Sequence, residues 1–394
     1  MEIKEKIWSR NYTSMLIVNF LLMTIFYLLI VTMASYATES FKVSPSIAGL
    51  VSGIYIIGTV GGRLLTGNII NKVGSKKVLM IGLISFVITS LLYFVSLNIG
   101  TLIFSRFVNG FAVGIAANAV GTIVAQITPD SRKSEGIGYF SMSLSIATAI
   151  GPFLGLFLNQ SVSYTFIFTI CTILAVIALV ISSVTAIPNK QYSDAIPSQK
   201  SKWRISNFID LKTLPIGILI LLLALGYSSL VSFLSFFAEQ RDIVSYASVF
   251  FIVYSIVVLF TRPITGKLMD QKGANFVVYP CLVLYFVGMI LLGFSSTGYL
   301  LLLAAIFIGL GYGNLFSAHQ TIAVKVAEPQ NIGLATSTFF IFFDLGLGFG
   351  PYFLGLIIPY FNYSGLYILL GVVMLLLVVP YYLFYGKNDY KYFR

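Results

Sequence analysis

The chain has 394 residues, 58% hydrophobic and only 9% charged, with a mean hydropathy of +0.95. A soluble domain carries nearer a quarter charged residues, so a water-soluble fold is excluded and the sequence is that of an integral membrane protein. The net charge of +11 would suit a nucleic-acid binder, but the placement of the bases argues otherwise.

Taken in order, apolar stretches long enough to cross about 30 Å of hydrocarbon as helices are predicted at 13–37, 46–70, 77–97, 99–125, 135–160 and 164–186. Six more follow at 213–238, 244–268, 275–295, 298–326, 332–357 and 363–386. An outer-membrane barrel would instead show alternating strands of about 10 residues, and none is legible. The first apolar run follows Lys4, Lys6 and Arg10 and is too long for a cleaved signal peptide, so it reads as the first span. Between the two sets of six, residues 187–212 are polar, with two prolines and five basic residues. They read as a cytoplasmic linker between helical bundles 1–186 and 213–394, with Trp203 as an interfacial anchor. Cys171 and Cys281 lie in apolar helices of opposite halves and form no disulfide or metal pattern.

With the N-terminus cytoplasmic, 19 of the 24 Lys and Arg fall on the inner side. Lys42 and Arg241 fall outside, and Arg63, Arg106 and Arg262 lie within spans. Cytoplasmic loops are enriched in these residues. The positive charge is therefore a topogenic signal toward inner-leaflet lipid rather than a nucleic-acid footprint. The expected location is a bacterial inner (cytoplasmic) membrane, multi-pass, with both termini cytoplasmic.

The chain is also duplicated. Arg63-x-x-Thr66-Gly67-x-x-x-Asn71-x-x-Gly74 recurs 199 residues later as Arg262-x-x-Thr265-Gly266-x-x-x-Asp270-x-x-Gly273. In the same register Gly110 and Gly114 fall on Gly309 and Gly313, and Gly151-Pro152 on Gly350-Pro351. Internal duplication of a hydrophobic chain is a feature of secondary transporters.

These motifs resemble the major facilitator superfamily over essentially the whole chain. That family's loop signature between spans 2 and 3, G-x-x-x-D-R-x-G-R-K, is matched by Gly67, Lys72, Gly74 and Lys76, whereas Asn71 replaces the acid and Ser75 the arginine. The second copy keeps the acid as Asp270. Arg63 and Arg262, repeated near the inner mouths, read as packing or gating residues. In span 5, Gly138, Gly151, Pro152 and Gly155 are similar to the antiporter signature G-x8-G-x3-G-P-x2-G-G, with Ala147 in place of the second glycine and Leu156 in place of the last; the resemblance ties that signature to drug–proton antiport. A plainer reading is that small residues pack span 5 tightly on a neighbour and Pro152 bends it. The resemblance further implies an all-α fold of two pseudo-symmetric six-helix bundles, with spans 1, 4, 7 and 10 around a central cavity. Its candidate lining residues are Asn19 and Tyr27, Asn109 and Asn118, Tyr227 and Ser232, Tyr312 and Asn314.

One acid, Asp344, stands about halfway along a span. A mid-membrane carboxylate costs at least about 2.5–3.5 kcal/mol to insert, so it must be paired, wet or protonated. Asp344 is the candidate coupling acid, against a structural hydrogen bond to a neighbouring helix. Arg106, always charged, is a second candidate for coupling or anion binding, against a contact to backbone carbonyls. His319, the single histidine, is a possible proton relay or simply a hydrogen-bonded helix residue. Together these point to proton-coupled efflux of small amphipathic, multidrug-type molecules by alternating access. The alternatives are a dedicated exporter of one metabolite, metallophore or lipid, or a sugar or metabolite importer or facilitator. An enzyme is not expected, since no H-E-x-x-H or intramembrane pair of acids occurs, nor a pump, since no G-x-x-x-x-G-K-[ST] loop occurs. The expected partners are a small-molecule substrate, protons as coupling ion and lipid. No cofactor, metal or nucleic acid is expected, and the protein reads as a monomer.

Overall fold

A computed structural model describes residues 6–43, 45–129, 132–186, 208–328 and 331–389. Most of the predicted linker, including Trp203, lies outside these residues. In hydrocarbon every backbone polar group must be satisfied internally, and the described residues answer with helices joined by short turns. The first half contains α1 (Arg10–Phe41), α2 (Pro45–Val73), α3 (Ser75–Leu91), α4 (Ile99–Ile127), α5 (Lys133–Ser161) and α6 (Tyr164–Val184). The second contains α7 (Leu214–Glu239), α8 (Val244–Lys272), α9 (Asn275–Gly293), α10 (Gly298–Ile308), α11 (Asn314–Val326), α12 (Ile332–Leu376) and α13 (Val378–Phe384). Polar residues start several of them. The Ser9 hydroxyl accepts from Tyr12 N, and Asn98 and Thr101 form a reciprocal capping box on α4.

Among the described residues, eleven helical stretches are long and apolar enough to cross a membrane. The last, Ile332–Phe384, runs 53 residues, about twice one crossing. It breaks at Asn362, where φ is 53° and ψ −179°. Asparagine bears a positive φ better than most residues, and its side chain caps the next turn by accepting from Gly365 N at 2.9 Å. The break yields the twelve crossings predicted from sequence. Predicted spans 298–326 and 332–357 differ from the observed helices in one respect each. The tenth is interrupted by a π-helical turn at Gly309–Gly313, and the eleventh continues without a loop to Asn362.

The chain divides into two compact units. One comprises Met1–Thr128, Ile146–Leu211 and Ala327–Ile341; the other comprises Pro129–Ser145, Lys212–Val326 and Phe342–Arg394. These differ from the sequence halves by two stretches, 129–145 and 327–341, which are themselves equivalent under the 199-residue shift. Within the first unit α4 is the buried centre; from Ala112 to Ala125 every residue is buried. In α6 an apolar face of Phe166, Ile173, Ile177, Val180 and Val184 is exposed, as suits a helix facing lipid.

The duplication extends to individual contacts. A side chain at Gly110 would fall on the Tyr55 carbonyl and one at Gly114 on the Thr59 carbonyl, so α4 meets α2 backbone to backbone. In the second unit Gly309 faces the Tyr254 carbonyl and Gly313 faces Val258, the same pairs 199 residues on. Gly151 abuts Tyr27 on α1 and Gly350 abuts Ser228 on α7. The glycines in the short breaks that reverse the chain, Gly74 and Gly273, have φ of 95° and 92°, values that an L side chain adopts only with strain.

These contacts rank the glycines. Gly273→Ala combines a left-handed φ with a Cβ placed on the Asp389 carboxylate, and should cost about 1–3 kcal/mol. Gly138→Ala has nothing nearer than the Arg262 carbonyl at 3.6 Å, and should be neutral or stabilising by up to about 1 kcal/mol. Apparent thermal midpoints of the two purified variants check this order; a Gly273→Ala protein as stable as wild type would contradict it.

Candidate functional site

In the first unit the intramembrane arginine is built into the helix packing. Arg106 is fully buried. Its Nε donates to the Val51 carbonyl at 3.2 Å, its Nη1 to the Tyr93 hydroxyl at 3.3 Å, and its guanidinium lies 4.2 Å over the Tyr55 ring. A carbonyl, a hydroxyl and a π face together solvate the charge; Nη2 is buried with no hydrogen-bond partner. Asn109, one turn on, accepts from Tyr93 at 2.9 Å and donates to Thr89 at 3.0 Å and Ser90 at 3.1 Å. Its amide is thus engaged along the α3–α4 seam. Asn118, in the C-terminal half of α4, differs: it is fully buried, and among the described residues neither its Nδ2 nor its Oδ1 has a hydrogen-bond partner. A buried amide left unmet costs about 1–3 kcal/mol and asks for an explanation. Asn19 and Tyr27 on α1 are also buried.

In the second unit, tyrosines from four successive crossings pile against one another. Tyr227 on α7 stacks on Tyr312 of the π turn with centroids 4.6 Å apart and planes 11° off parallel. Tyr254 of α8 lies 5.8 Å from Tyr227, and Tyr285 of α9 lies 5.4 Å from Tyr312. Tyr254 and Tyr285 do not stand out in the sequence, although Tyr254 is the 199-residue image of Tyr55. Arg262 is buried, donates from Nε to the Gly313 carbonyl at 2.9 Å, and lies 5.6 Å from the Phe316 ring. Phe343, the neighbour of Asp344, packs edge-on against the same ring at 5.0 Å. Asp344 itself is 5% exposed. Asn314 exchanges hydrogen bonds with Thr261 and Thr265 of α8 and donates to the Leu310 carbonyl. Ser232 is half-buried on α7. His319 is buried, with Nδ1 2.8 Å from the Leu315 carbonyl; a carbonyl only accepts, so Nδ1 carries the proton.

The two copies of the loop motif hold charge differently. Asp270 accepts from the Glu135 backbone N–H at 3.1 Å, in the first turn of α5, and pairs with Lys325 at 3.4 Å. A carboxylate at a helix N-terminus is favourable. Glu135 in turn pairs with Arg132 at 2.8 Å and Lys267 at 4.0 Å. In the first copy the Asn71 side chain lies outside the described residues, and Lys76 instead donates to the Ser182, Ser183 and Thr185 carbonyls at the end of α6. Lys72 is exposed in the last turn of α2. Arg63 lies 4.5 Å over the Phe340 ring, and its carbonyl accepts from Ser337 at 2.8 Å. The corresponding contact in the second unit is Gly138 on the Arg262 carbonyl. A Cβ at Gly67 would lie 2.9 Å from the Ser337 side chain, and one at Gly266 3.3 Å from the Ser134 carbonyl. A Cβ at Gly155 would lie 2.9 Å from the Leu28 carbonyl, while Pro152 lies inside α5. The span-5 motif thus works as a packing device over its second half.

The profile of the Major Facilitator Superfamily matches residues 15–298 and 244–392. The chain belongs to that superfamily. Among similar superfamily members, an uncharacterized MFS-type transporter of Methanocaldococcus jannaschii is 24% identical over 376 residues, 92% of each chain. Multidrug resistance protein 2 of Bacillus subtilis is 26% identical over 79% of this chain and 81% of its own. The quinolone resistance protein NorA of Staphylococcus aureus is 27% identical over 44% of this chain and 45% of its own. The crystal structure of the human organic anion transporter MFSD10 (TETRAN) superposes with a TM-score of 0.78 over 95% of this chain and 99% of that one. At 14% identity it shows the shared fold. For a superfamily member, a buried polar atom with no partner inside the protein is a natural point for a transported molecule to meet.

Asn118→Leu tests that role. It removes a buried amide that makes no hydrogen bond and keeps the volume, so stability should rise by about 1 kcal/mol or more. Transport should fall severalfold if the amide meets the substrate. Lower stability with unchanged transport would make Asn118 a structural residue.

Proposed function

We propose that this chain exports small amphipathic molecules across the cytoplasmic membrane in exchange for protons, as a monomer with both termini in the cytoplasm and no cofactor. The observation that carries the reading is Asp344, a carboxylate 5% exposed within an apolar crossing. The other buried acids among the described residues, Glu135 and Asp210, lie near ends of crossings, and Glu135 is paired with Arg132. Burying an ionised carboxylate is expensive, and a proton removes the charge and most of the expense. Asp344 thereby changes its preferred surroundings when it takes up or loses a proton, which is the property a coupling group requires. The names of two relatives, a multidrug and a quinolone resistance protein, favour drug-like cargo.

In this mechanism the ionised carrier, open to the cytoplasm, takes up substrate and opens outward. A proton arriving from outside neutralises Asp344 as the substrate leaves and lowers the cost of closing around that carboxyl. Loss of the proton to the cytoplasm completes the cycle. The two halves contribute unequally: the second carries Asp344, the tyrosine stack and the charged form of the loop motif, whereas the first carries Asn118.

Purified protein in proteoliposomes with an imposed pH gradient tests the proposal, using a fluoroquinolone and a lipophilic cationic dye as cargo. Wild type should move protons on addition of a cargo and lose accumulation when the gradient is collapsed. Asp344→Asn should lower coupled transport at least tenfold while its thermal midpoint is retained. Equal movement of cargo without a gradient, in both proteins, would make the chain a facilitator.

A further inference from the structure

A groove of about 550 Å³ runs between α8, α9 and the π turn that leads into α11, at the end of the second unit that carries the Gly273 turn. Its size falls within the range of about 300–1,000 Å³ typical of small-molecule sites. Two helix irregularities adjoin it. Pro280 lies inside α9 and removes a backbone N–H, which bends a helix. Leu310 belongs to the π turn at Gly309–Gly313, the kind of bulge often found where a helix serves a function. The walls are apolar, formed chiefly by Ile264, Leu268, Phe276, Pro280, Leu284 and Leu310.

Four of the six polar side chains in the lining are already engaged; the other two are the Tyr279 hydroxyl and the Cys281 thiol. Thr261 and Thr265 bond with Asn314, Asn314 also donates to Leu310 O, and Asn275 donates to Gly386 O and accepts from Tyr381. The chiefly apolar walls therefore offer a polar ligand few partners, whereas a hydrocarbon chain needs none. Ile264 and Phe276 are 59% and 49% exposed, so the groove opens sideways, where hydrocarbon surrounds the protein. Its mouth is positively charged. The Lys272 ammonium lies 4.4 Å from the Phe276 ring, and Lys387, next to the Gly386 that Asn275 grips, is exposed. Asp389, beside Lys387, is taken up by the Ala274 and Asn275 N–H groups at the start of α9, and Asp270 on α8 is paired with Lys325.

We propose that this groove binds one acyl chain of an anionic phospholipid, with the headgroup phosphate held at Lys272 and Lys387. In the orientation proposed above, the lipid belongs to the inner leaflet; its binding depends on neither that orientation nor proton coupling, because reconstituted vesicles present anionic lipid in both leaflets.

The test is fluorescence quenching in vesicles containing brominated lipid. Trp8 and Trp203 are replaced by Phe and a single tryptophan is introduced as Leu268→Trp in the groove, or as Ile173→Trp on the lipid-exposed face of α6. Leu284→Trp provides a second groove reporter should Leu268→Trp fold poorly. Brominated phosphatidylglycerol should quench the groove tryptophan at a mole fraction at least fivefold lower than brominated phosphatidylcholine. The α6 tryptophan should show no such preference. Lys272→Gln should reduce the groove preference by about fivefold, the effect of one basic residue at an anionic surface. Equal quenching by both lipids in the groove, or a preference that persists after Lys272→Gln with Lys387→Gln, would overturn the proposal. So would relief of groove quenching by a lipophilic cation with no dependence on the lipid headgroup, which would mark a cargo site instead.

Discussion

At several glycines of this protein one helix backbone lies directly against another. At Gly110 and Gly114 the Tyr55 and Thr59 carbonyls of α2 occupy the space a side chain would need, and Gly58 and Gly62 of α2 receive the Phe107 and Phe111 carbonyls of α4 in return. Hydrophobic burial does not drive helices together in lipid, because lipid tails are as apolar as leucine; close van der Waals contact does, and only small residues permit it. Once α2 and α4 are locked in this way, the positions of Tyr55 and Val51 are set, and with them the ring and carbonyl that receive Arg106. The glycine seam therefore positions the charge.

The three buried arginines follow one rule. Each rests on an aromatic ring: Arg63 on Phe340, Arg106 on Tyr55 and Arg262 on Phe316. Arg106 and Arg262 also donate from Nε to a main-chain carbonyl of a neighbouring turn. Guanidinium is more weakly hydrated than ammonium and tolerates such surroundings where lysine would not. A cation held by dipoles and rings in this way needs no acid beside it.

The overall architecture was legible in the sequence because hydrocarbon imposes strict requirements. Span length, the bias of lysine and arginine, and the 199-residue register led to twelve crossings, and the register proves to hold contact by contact. What was not legible is which way a polar residue turns. Asn109 and Asn314 look like cavity residues by type and position, yet their amides are engaged along α3–α4 and α8–α11 seams. Asn118, of the same type on the same helix as Asn109, has no such partner. A 3.6-residue period separates faces only when apolar and polar residues alternate, and α4 is buried all the way round over much of its length. The stacking of Tyr227 on Tyr312 was hidden for a related reason, since a π turn shifts the face that Tyr312 presents.

The differences between the copies say more about mechanism than their likeness. Both turn on a glycine with positive φ, but the first places a lysine on the carbonyl end of α6 and the second places carboxylates on helix N-termini, Asp270 at α5 and Asp389 at α9. Each arrangement satisfies a helix end with the appropriate sign of charge. Among the described residues, the second couples its carboxylate to a wider set of charges, through Lys325 on one side and Glu135 with Arg132 and Lys267 on the other. Movement of α5's first turn away from α8 would have to break those pairs together, whereas the first copy, with Asn71 in the acid's position, has no carboxylate there to lose. Among the described residues, the ion pairs that such a movement would break lie at Asp270, in the same unit as Asp344.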